Sequence, residues 1–362
     1  MKKHFFFTTK LDYKSGWGTN TLNYIKELDK KDVIVFCTEI SSKQKYKQYK
    51  VLSQPLNYLK NPINIFFDYI KVKKILKKYN NFKLYSHFTV EPYSLLLVFI
   101  KNFFFINIFY GIGSYAIEIS KNFKTKFFFL LAKKHFHKII YISEYSKKNI
   151  EDNVSFKHVE EKRIINPTIN LNIKLKKKKF KTFTILSVGA IKPRKGYEYL
   201  IEVLRKINCD YNKKFNLKII GKINDINYSK RINHLIKKYK LSNNVEILNN
   251  VNEKDIFSYY NNSHIFVLLS KKINNYFEGF GIVYLEALNF SLPIIISKES
   301  GGRDLLKLNR NLKAFSPSNI DSIAKQTIKL VCKRNHLSSR KILKKHQSSN
   351  LKKLKNFYKN LN

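Results

Sequence analysis

The stretch that decides the fold is Glu278-Gly279-Phe280-Gly281-Ile282-Val283-Tyr284-Leu285-Glu286-Ala287-Leu288. It places a glycine loop before an apolar helical pattern, with one carboxylate ahead of the predicted helix and a second about one turn inside it. A helix that starts beside glycines presents backbone N–H groups and the positive end of its dipole, which together bind phosphate. The two carboxylates can reach groups on either side of that phosphate. A ligand with a central diphosphate and hydroxyls at both ends, such as a nucleotide sugar, fits this layout.

A purely structural interpretation of the same stretch stays open beside the functional one. Ile282, Val283, Leu285 and Leu288 have the spacing of ordinary core residues on an amphipathic helix. Glutamates that flank such a helix are commonly solvated. The neighbouring segments are therefore needed to choose between the two interpretations.

Those neighbouring segments repeat a unit of buried strand, glycine turn and helix. Residues 266–270 precede the stretch and residues 292–297 follow it, and both have the composition of buried strands. A second turn follows at Gly301-Gly302, for which a plain tight turn with positive φ is the alternative. Upstream, residues 183–189 form a third predicted strand, with a loop over residues 190–196 and then a helix. Repeated units of this kind predict a parallel sheet with ligand loops at the carboxyl ends of its strands.

The loop of residues 190–196 carries the cations that suit a diphosphate. Lys195 is a point charge placed to neutralise it, and the planar fork of Arg194 lies beside it. In a chain this rich in lysine, a single lysine is by itself most simply explained as solvated surface. The functional interpretation rests on the position of Lys195 between a strand and a helix.

Taken together, these motifs resemble those of the retaining glycosyltransferases of the large family-four (group 1) type. The E-x7-E box corresponds to Glu278 and Glu286, the Val-Gly to Lys-Gly loop to residues 188–196, and the late Gly-Gly turn to Gly301-Gly302. The resemblance covers nearly all of residues 182–330. It implies an α/β architecture of the GT-B type, with two Rossmann-like domains facing a central cleft.

The resemblance also implies a role for each motif residue. Glu278 is expected to bind the donor sugar near the reacting carbon, Glu286 to accept from the ribose hydroxyls, and Lys195 to hold the diphosphate. Many members carry an arginine where this chain has Ala190, so either Arg194 or Lys192 supplies the second charge or stabilisation of the leaving group is weaker, and we favour Arg194. The expected catalytic residues are Glu278, Lys195 and Arg194. The expected donor-binding residues are Gly16, Gly18, Gly189, Gly279, Phe280, Gly281, Glu286, Gly301 and Gly302.

The first half of the chain resembles the family less closely. Residues 15–20 follow a predicted strand (residues 3–8) and precede a predicted helix (residues 19–28), as the N-terminal glycine loop of the family does. Tyr110-Gly111 stands where a His-Gly turn is usual, so the base or stabiliser role of that histidine is in doubt here. For the nearby histidines we expect packing or surface roles: His87, His135 and His137.

Changes in composition along the chain suggest the domain boundaries. We predict an N-terminal acceptor-side Rossmann-like domain over residues 1–173 and a C-terminal nucleotide-sugar-binding Rossmann-like domain over residues 182–340. A lysine-rich linker, residues 174–181, joins them. The fold that the chain resembles implies that a C-terminal helix, about residues 341–362, packs back on the first domain, and a free basic tail is the alternative.

The composition supports real cores and is strongly basic. Hydrophobic residues make up 44% of the chain, and 70 Lys and Arg residues against 25 Asp and Glu residues give a net charge of +45. A nucleic-acid-binding protein is the alternative that this charge raises. The lysines are spread over the whole length and no nucleic-acid module is recognisable, so we expect no nucleic-acid partner. A positive surface also favours an anionic membrane.

Cysteine usage and the remaining motifs indicate a reducing compartment and no metal. Three distant cysteines suggest neither a disulfide framework nor a metal cluster, and no Asp-x-Asp pair is present. No signal peptide is recognisable in the first residues. The apolar residues 93–112 are interrupted by Lys101-Asn102, so we predict a helix ending near Phe99 and a strand over residues 103–110. A membrane-spanning segment is the alternative.

The resemblance implies a metal-independent hexosyltransferase that retains anomeric configuration and needs no cofactor beyond its nucleotide-diphosphate sugar. The acceptor would be a glycan or a lipid-linked molecule, in surface polysaccharide or glycolipid synthesis. We expect the protein in the cytoplasm, at the inner face of the cell membrane. Three alternatives remain: a basic nucleic-acid-binding protein, another GT-B enzyme such as a sugar-nucleotide epimerase, and a non-catalytic relative.

Overall fold

The structure, a computed structural model, describes residues 2–13, 15–169, 179–332 and 339–361, without the side chains of residues 253 and 254. The chain divides into two compact units, Met1–Pro167 with Asn350–Asn362, and Thr168–Ser349. The predicted linker lies outside the described residues except for its last three. Both units are α/β with parallel sheets, as the sequence predicts.

The first unit is built on a parallel sheet of seven strands in the order β3-β2-β1-β4-β5-β6-β7. The strands are β1 (Lys2–Phe7), β2 (Val33–Cys37), β3 (Lys47–Lys50), β4 (Lys83–Phe88), β5 (Ile106–Gly111), β6 (Lys138–Tyr141) and β7 (Glu161–Ile164). The helices are α1 (Gly16–Ile25), α2 (Pro55–Lys60), α3 (Ile63–Leu76), α4 (Leu97–Ile100), α5 (Tyr115–Lys121), α6 (Lys126–Lys133) and α7 (Glu144–Glu151). Short 3-10 helices cover Lys30–Asp32, Lys77–Tyr79, Glu91–Leu96 and Lys101–Phe103.

The start of this unit differs from the prediction at one helix. β1 agrees with the predicted strand to within one residue, and its Phe5, Phe6 and Phe7 are fully buried because helices cover a parallel sheet on both faces. The predicted helix over residues 19–28 instead begins at Gly16. Ser15 caps it, because its Oγ accepts from the Gly18 N–H at 2.9 Å.

The apolar residues 93–112 fold as interrupted short elements. The 3-10 helix Glu91–Leu96 continues into α4, and β5 starts at Ile106, three residues later than predicted. Among the described ranges, no helix combines the length and the apolar character that crossing a membrane requires.

The second unit is built on a parallel sheet of six strands in the order β10-β9-β8-β11-β12-β13. The strands are β8 (Phe183–Val188), β9 (Phe215–Ile220), β10 (Val245–Leu248), β11 (Ile265–Leu268), β12 (Ile294–Ser297) and β13 (Lys313–Phe315). The helices are α8 (Tyr197–Arg205), α9 (Ile226–Lys238), α10 (Glu253–Asn262), α11 (Val283–Asn289), α12 (Ile320–Cys332) and α13 (Ser339–Lys359). The 3-10 helices Pro193–Lys195 and Gly301–Leu308 and a π-helical turn at Lys206–Asp210 complete it.

The residues of α13 from Asn350 onward belong to the first unit. Within that unit the Asn350 side chain accepts from the Asn166 N–H at 2.9 Å, and the Tyr358 hydroxyl donates to the Tyr24 carbonyl at 2.9 Å.

The three strands predicted around the glycine loops are confirmed as β8, β11 and β12. They are neighbours in the sheet, because β11 pairs with both β8 and β12. Their carboxyl ends therefore lie side by side at one edge, and the loops that follow them meet there.

Candidate functional site

The loops after β8, β11 and β12 come together at this edge of the second unit. Glu278, in the loop after β11, forms an isolated parallel bridge with Ser300, in the loop after β12. The Gly301 N–H donates to the Glu278 carbonyl at 3.1 Å. The E-x7-E box and the late Gly-Gly segment are thus joined through their backbones.

A cluster of ions that are buried or partly buried lies at this edge. One oxygen of Glu278, Oε2, accepts from Lys195 Nζ at 2.7 Å and from Arg194 Nη1 at 2.8 Å. Arg194 Nη1 also donates to the Phe277 carbonyl at 2.9 Å, and the Ser270 hydroxyl lies 3.4 Å from the same carboxylate oxygen. We call Lys195, Arg194 and Glu278 the ion cluster. The three residues that the sequence predicts to be catalytic are therefore in direct contact.

The charges of the ion cluster do not cancel. Burial would raise the pKa of Glu278, but Lys195 and Arg194 outweigh it and lower the pKa from 4.5 to about 2. Burial lowers the pKa of Lys195, and the Glu278 carboxylate opposes that shift. Burial, with Arg194 and Lys195 nearby, lowers the pKa of Lys192 from 10.5 to about 8. Three cations thus surround one carboxylate, and the excess positive charge favours an anionic ligand.

Glycines of the β8 loop place the lysine of this cluster. Gly196 has φ +65°, and a Cβ there would lie 2.1 Å from the Leu269 carbonyl oxygen, so only glycine fits where the 3-10 helix passes into α8. A Cβ at Gly189 would lie 3.0 Å from Lys195 Cε. The lysine stem therefore packs against the backbone at Gly189, and its side chain is only 9% exposed.

The glycines of the other two loops share one structural role. Tyr284 of α11 lies between them, since a Cβ at Gly281 would be 2.9 Å from its ring and a Cβ at Gly302 would be 2.6 Å from it. Its hydroxyl donates to the Leu268 carbonyl at 2.8 Å. Gly301 and Gly302 open the 3-10 helix Gly301–Leu308, and neither has the positive φ of the tight-turn alternative.

The remaining predicted donor-binding residues of this unit lie in or beside α11. Gly279 and Phe280 precede the helix, and the Phe280 ring is buried with its centroid 5.6 Å from that of His346. Glu286 is the fourth residue of α11, and its Oε2 accepts from the Tyr260 hydroxyl at 2.7 Å.

Gly16 and Gly18 belong to the first unit, where they begin α1 after β1. The two glycines differ in what surrounds them. No atom lies within 4 Å of a Cβ built at Gly16, whereas a Cβ at Gly18 would lie 2.3 Å from the Lys10 carbonyl oxygen. Gly18 is therefore needed for local packing.

Sequence reasoning missed a buried carboxylate in the first unit. Glu91 is fully buried behind the carboxyl end of β4, and its Oε1 accepts from the N–H groups of Gly113 at 2.7 Å and Ile112 at 3.2 Å. Its Oε2 accepts from Trp17 Nε1 at 3.3 Å. Glu91 thus ties the start of α1 to the loop after β5. The sequence feature that could have identified Glu91 is an acidic residue between a predicted strand and an apolar run.

Tyr110, which stands where the family usually has histidine, lies in the core of the first unit. Its hydroxyl is 2.8 Å from His87 Nδ1, and burial raises its pKa well above the ordinary value. Its phenol therefore stays protonated near neutral pH. His87 stacks on Phe6 with ring centroids 4.1 Å apart, which confirms the expected packing role.

Comparison with known proteins relates this chain to glycosyltransferases. Residues 170–348 match the model of the family described as glycosyl transferases group 1. An uncharacterized glycosyltransferase of Methanocaldococcus jannaschii is 26% identical over 219 residues, 60% of this chain and 56% of that protein. Another, of Haemophilus influenzae, is 31% identical over 163 residues, 45% of this chain and 43% of that protein. The chain spans about half the length of these two relatives.

Solved structures share the fold at low sequence identity. Sucrose-phosphate synthase from Thermosynechococcus elongatus has a TM-score of 0.76 and 14% identity, over 100% of this chain and 99% of that one. Anabaena HepE in complex with UDP and glucose has a TM-score of 0.70 and 13% identity, over 96% and 94% of the two chains. The GT-B fold that the sequence predicts is confirmed.

Proposed function

Residues 170–348 match the model of the group 1 glycosyl transferases, and we propose that the chain transfers a sugar from a nucleotide-diphosphate sugar to an acceptor. Transfer retains the anomeric configuration, and the sugar is a hexose. The acceptor is a glycan or a lipid-linked molecule in surface polysaccharide or glycolipid synthesis. A UDP-sugar is the first donor to test, because HepE binds UDP and glucose.

The excess of buried cations at the ion cluster carries this proposal. Departure of the nucleoside diphosphate is the hard step, because negative charge builds on the phosphate oxygen that leaves. Lys195 and Arg194 stabilise that charge, and their shared contact with Glu278 Oε2 holds both in place before the reaction. Oriented charges of this kind need little reorganisation and are usually the largest catalytic contribution.

The other residues position the donor around those cations. The backbone at Gly279, Phe280, Gly281, Gly301 and Gly302 contacts the sugar and the phosphates, Gly189 supports Lys195, and Glu286 accepts from the ribose. Glu278 binds the sugar near its reacting carbon. The acceptor hydroxyl attacks on the face from which the diphosphate leaves, and the leaving phosphate takes its proton.

The protein needs neither a metal nor a cofactor in this proposal, because Lys195 and Arg194 supply the positive charge. It acts in the cytoplasm at the inner face of the cell membrane. The net charge of +45 supports that location, since an anionic leaflet attracts basic surfaces.

A panel of nucleotide sugars, read as shifts in Tm, tests the proposal. Binding to the folded protein should stabilise it by about 2.7 kcal/mol at a ligand concentration of 100 Kd. Lys195→Met should abolish the shift. Lys271→Met is the matched control, because Lys271 also pairs with a buried glutamate, Glu198, at 2.6 Å. The proposal fails if no nucleotide sugar raises Tm, or if both variants respond equally. Turnover of the donor without acceptor would instead indicate an epimerase.

A further inference from the structure

Large apolar side chains lie exposed on the surface of the first unit, outside its core. Six of them are about half exposed or more: Ile63, Phe66, Phe67, Ile70, Phe123 and Phe127. We call these six the aromatic face. Phe123 is 77% exposed and Phe127 is 64% exposed. Clusters of this kind are rare on a monomer's surface unless they contact a partner or a membrane.

The aromatic face is regular in sequence. In α3, Ile63, Phe66, Phe67 and Ile70 follow the i, i+3, i+4, i+7 spacing of one helix face, while Ile65, Val72 and Ile75 on the other side are buried. The first half of α3 is therefore apolar toward the core and toward the outside. Phe123 lies in the turn before α6 and Phe127 is the second residue of that helix, so both are exposed where α6 begins.

Contacts within the first unit join the two helices into one surface. Lys124 Nζ, beside the start of α6, donates to the Lys60 carbonyl just before α3, at 2.9 Å. Phe99 of α4 stacks on Tyr69 of α3 with ring centroids 5.1 Å apart, and α4 also packs against α6. The chain segments that lead into α3 and α6 are thus neighbours.

The charges around this face have a single sign. The later turns of α3 expose Lys71 and Lys74, and the exposed Lys126 and Lys134 lie at the first residue of α6 and just after its last. Residues 121–134 contain no acidic residue, and the one acidic residue among residues 55–80, Asp68, is buried and accepts from Tyr58 and the Ser53 N–H. A second copy of this chain would present the same positive face and be repelled, whereas an anionic lipid surface would be attracted.

We propose that the aromatic face, with its surrounding lysines, docks the protein onto an anionic membrane. The apolar side chains enter the boundary between headgroups and acyl chains, and the lysines contact the anionic headgroups, as in other interfacial amphipathic surfaces. The proposal rests on the membrane location proposed above and names the surface that provides it. Its test requires no transfer reaction.

Flotation of the full chain with lipid vesicles tests the docking surface. The wild-type protein should bind vesicles of phosphatidylcholine with added phosphatidylglycerol and bind pure phosphatidylcholine vesicles far less. Phe123→Ser/Phe127→Ser should weaken binding by about tenfold or more. Lys74→Gln/Lys126→Gln should weaken it by about 30-fold, at about 1 kcal/mol per lysine.

Matched controls distinguish binding through the aromatic face from a general effect of surface charge or hydrophobicity. Ile226→Ser removes an apolar side chain that is 68% exposed in the second unit, and Lys230→Gln/Lys237→Gln removes two exposed charges there. Both should bind vesicles within about twofold of wild type. All variants should keep the Tm shift caused by the donor, so that a failed docking surface is distinguishable from a failed donor site. Equal losses in test and control variants, or phenylalanine-dependent dimers without vesicle binding, would overturn the proposal.

Discussion

The two units bury polar side chains in opposite ways. In the second unit, the ion cluster is a set of charges held together by one carboxylate oxygen. In the first unit, a neutral network runs from His4 to His87 and on to Tyr110, with His4 Nδ1 2.9 Å from His87 Nε2. Burial lowers the pKa of His4 to about 4 and that of His87 well below its ordinary value.

The difference separates a core from a binding site. Burial of a charge is costly, so a network with only a packing role is most stable when it is neutral. The ion cluster keeps an excess of positive charge despite that cost, which is the pattern expected where an anion binds. Glu91 is intermediate between the neutral network and the ion cluster. It is a single buried carboxylate whose oxygens accept hydrogen bonds from N–H groups and, within the described residues, contact no cation.

The largest effect is expected when the carboxylate of the ion cluster is removed. Glu278→Gln should lower the rate of transfer by on the order of 10²-fold or more, because the donor sugar loses its partner. Affinity for the nucleoside diphosphate should stay or rise, because Lys195 and Arg194 no longer share their charge with a carboxylate. Steady-state kinetics and nucleotide titration measure the two effects.

Glu198→Gln is the matched control for this variant. Glu198 is also buried and pairs with Lys271, but it lies in the first turn of α8 outside the ion cluster. Its transfer rate should stay within a few-fold of wild type. A loss of donor affinity in Glu278→Gln as large as the loss of rate would show that the cluster is structural.

The next effect is a loss of stability in two separate pH windows, one caused by His4 and one by Glu278. The folded pKa of His4, about 4, is below its unfolded value of 6.5, so its contribution to stability is complete above pH 6.5 and falls as the pH drops toward 4. The folded pKa of Glu278, about 2, is below 4.5, so its contribution is complete above pH 4.5 and falls toward pH 2. Each loss is at most about 3 kcal/mol.

Unfolding by urea across both windows measures the two losses. His4→Asn keeps a hydrogen-bonding group beside His87 without a titrating proton, so it should reduce the loss in the upper window alone, and the lowered pKa of His87 accounts for the loss that remains there. Glu278→Gln should reduce the loss in the lower window alone. If either substitution changed the loss of stability in both pH windows or in neither, the assignment of one window to each residue would be refuted.

The sequence predicted the loops of the site better than the contacts inside it. Strand, glycine and helix patterns are local, so the loops after β8, β11 and β12 were identified from short stretches. The contact between Lys195 and Glu278 joins residues 83 positions apart, and local patterns carry no information on it. The resemblance to the family assigns Lys195, Arg194 and Glu278 to contacts with a ligand. The structure adds that these three residues contact one another.

The first unit shows where local patterns were insufficient. The start of α1 was placed at Thr19, although Ser15 three residues before Gly18 was an equally good cap and is the one used. Glu91 was missed because its partners come from two loops, at Trp17 and at Ile112 to Gly113. The aromatic face was hidden because α3 is apolar on two sides, so its spacing resembles that of an ordinary buried helix.

A smaller effect is expected at the lone carboxylate. Glu91→Gln places an NH₂ group or a weaker acceptor against two backbone N–H groups, and should lower the free energy of unfolding by about 1–3 kcal/mol. Trp17 is the single tryptophan of the chain, so its fluorescence reports this region directly. Its emission maximum should shift in Glu91→Gln and stay unchanged in Glu160→Gln, an exposed carboxylate in the same unit. Unchanged emission in both variants would show that Glu91 does not hold the indole.

The smallest effect is expected at Tyr110, and it decides whether the position usually held by histidine keeps a role in catalysis. Tyr110→Phe removes one buried hydroxyl beside His87 and should cost about 1 kcal/mol of stability. Because the tyrosine lies in the neutral network, the transfer rate and the Tm shift with donor should stay within a few-fold of wild type. A tenfold or larger loss of rate, with stability unchanged, would mean that the network of the first unit takes part in the reaction. The division between a neutral core and a charged site would then not hold.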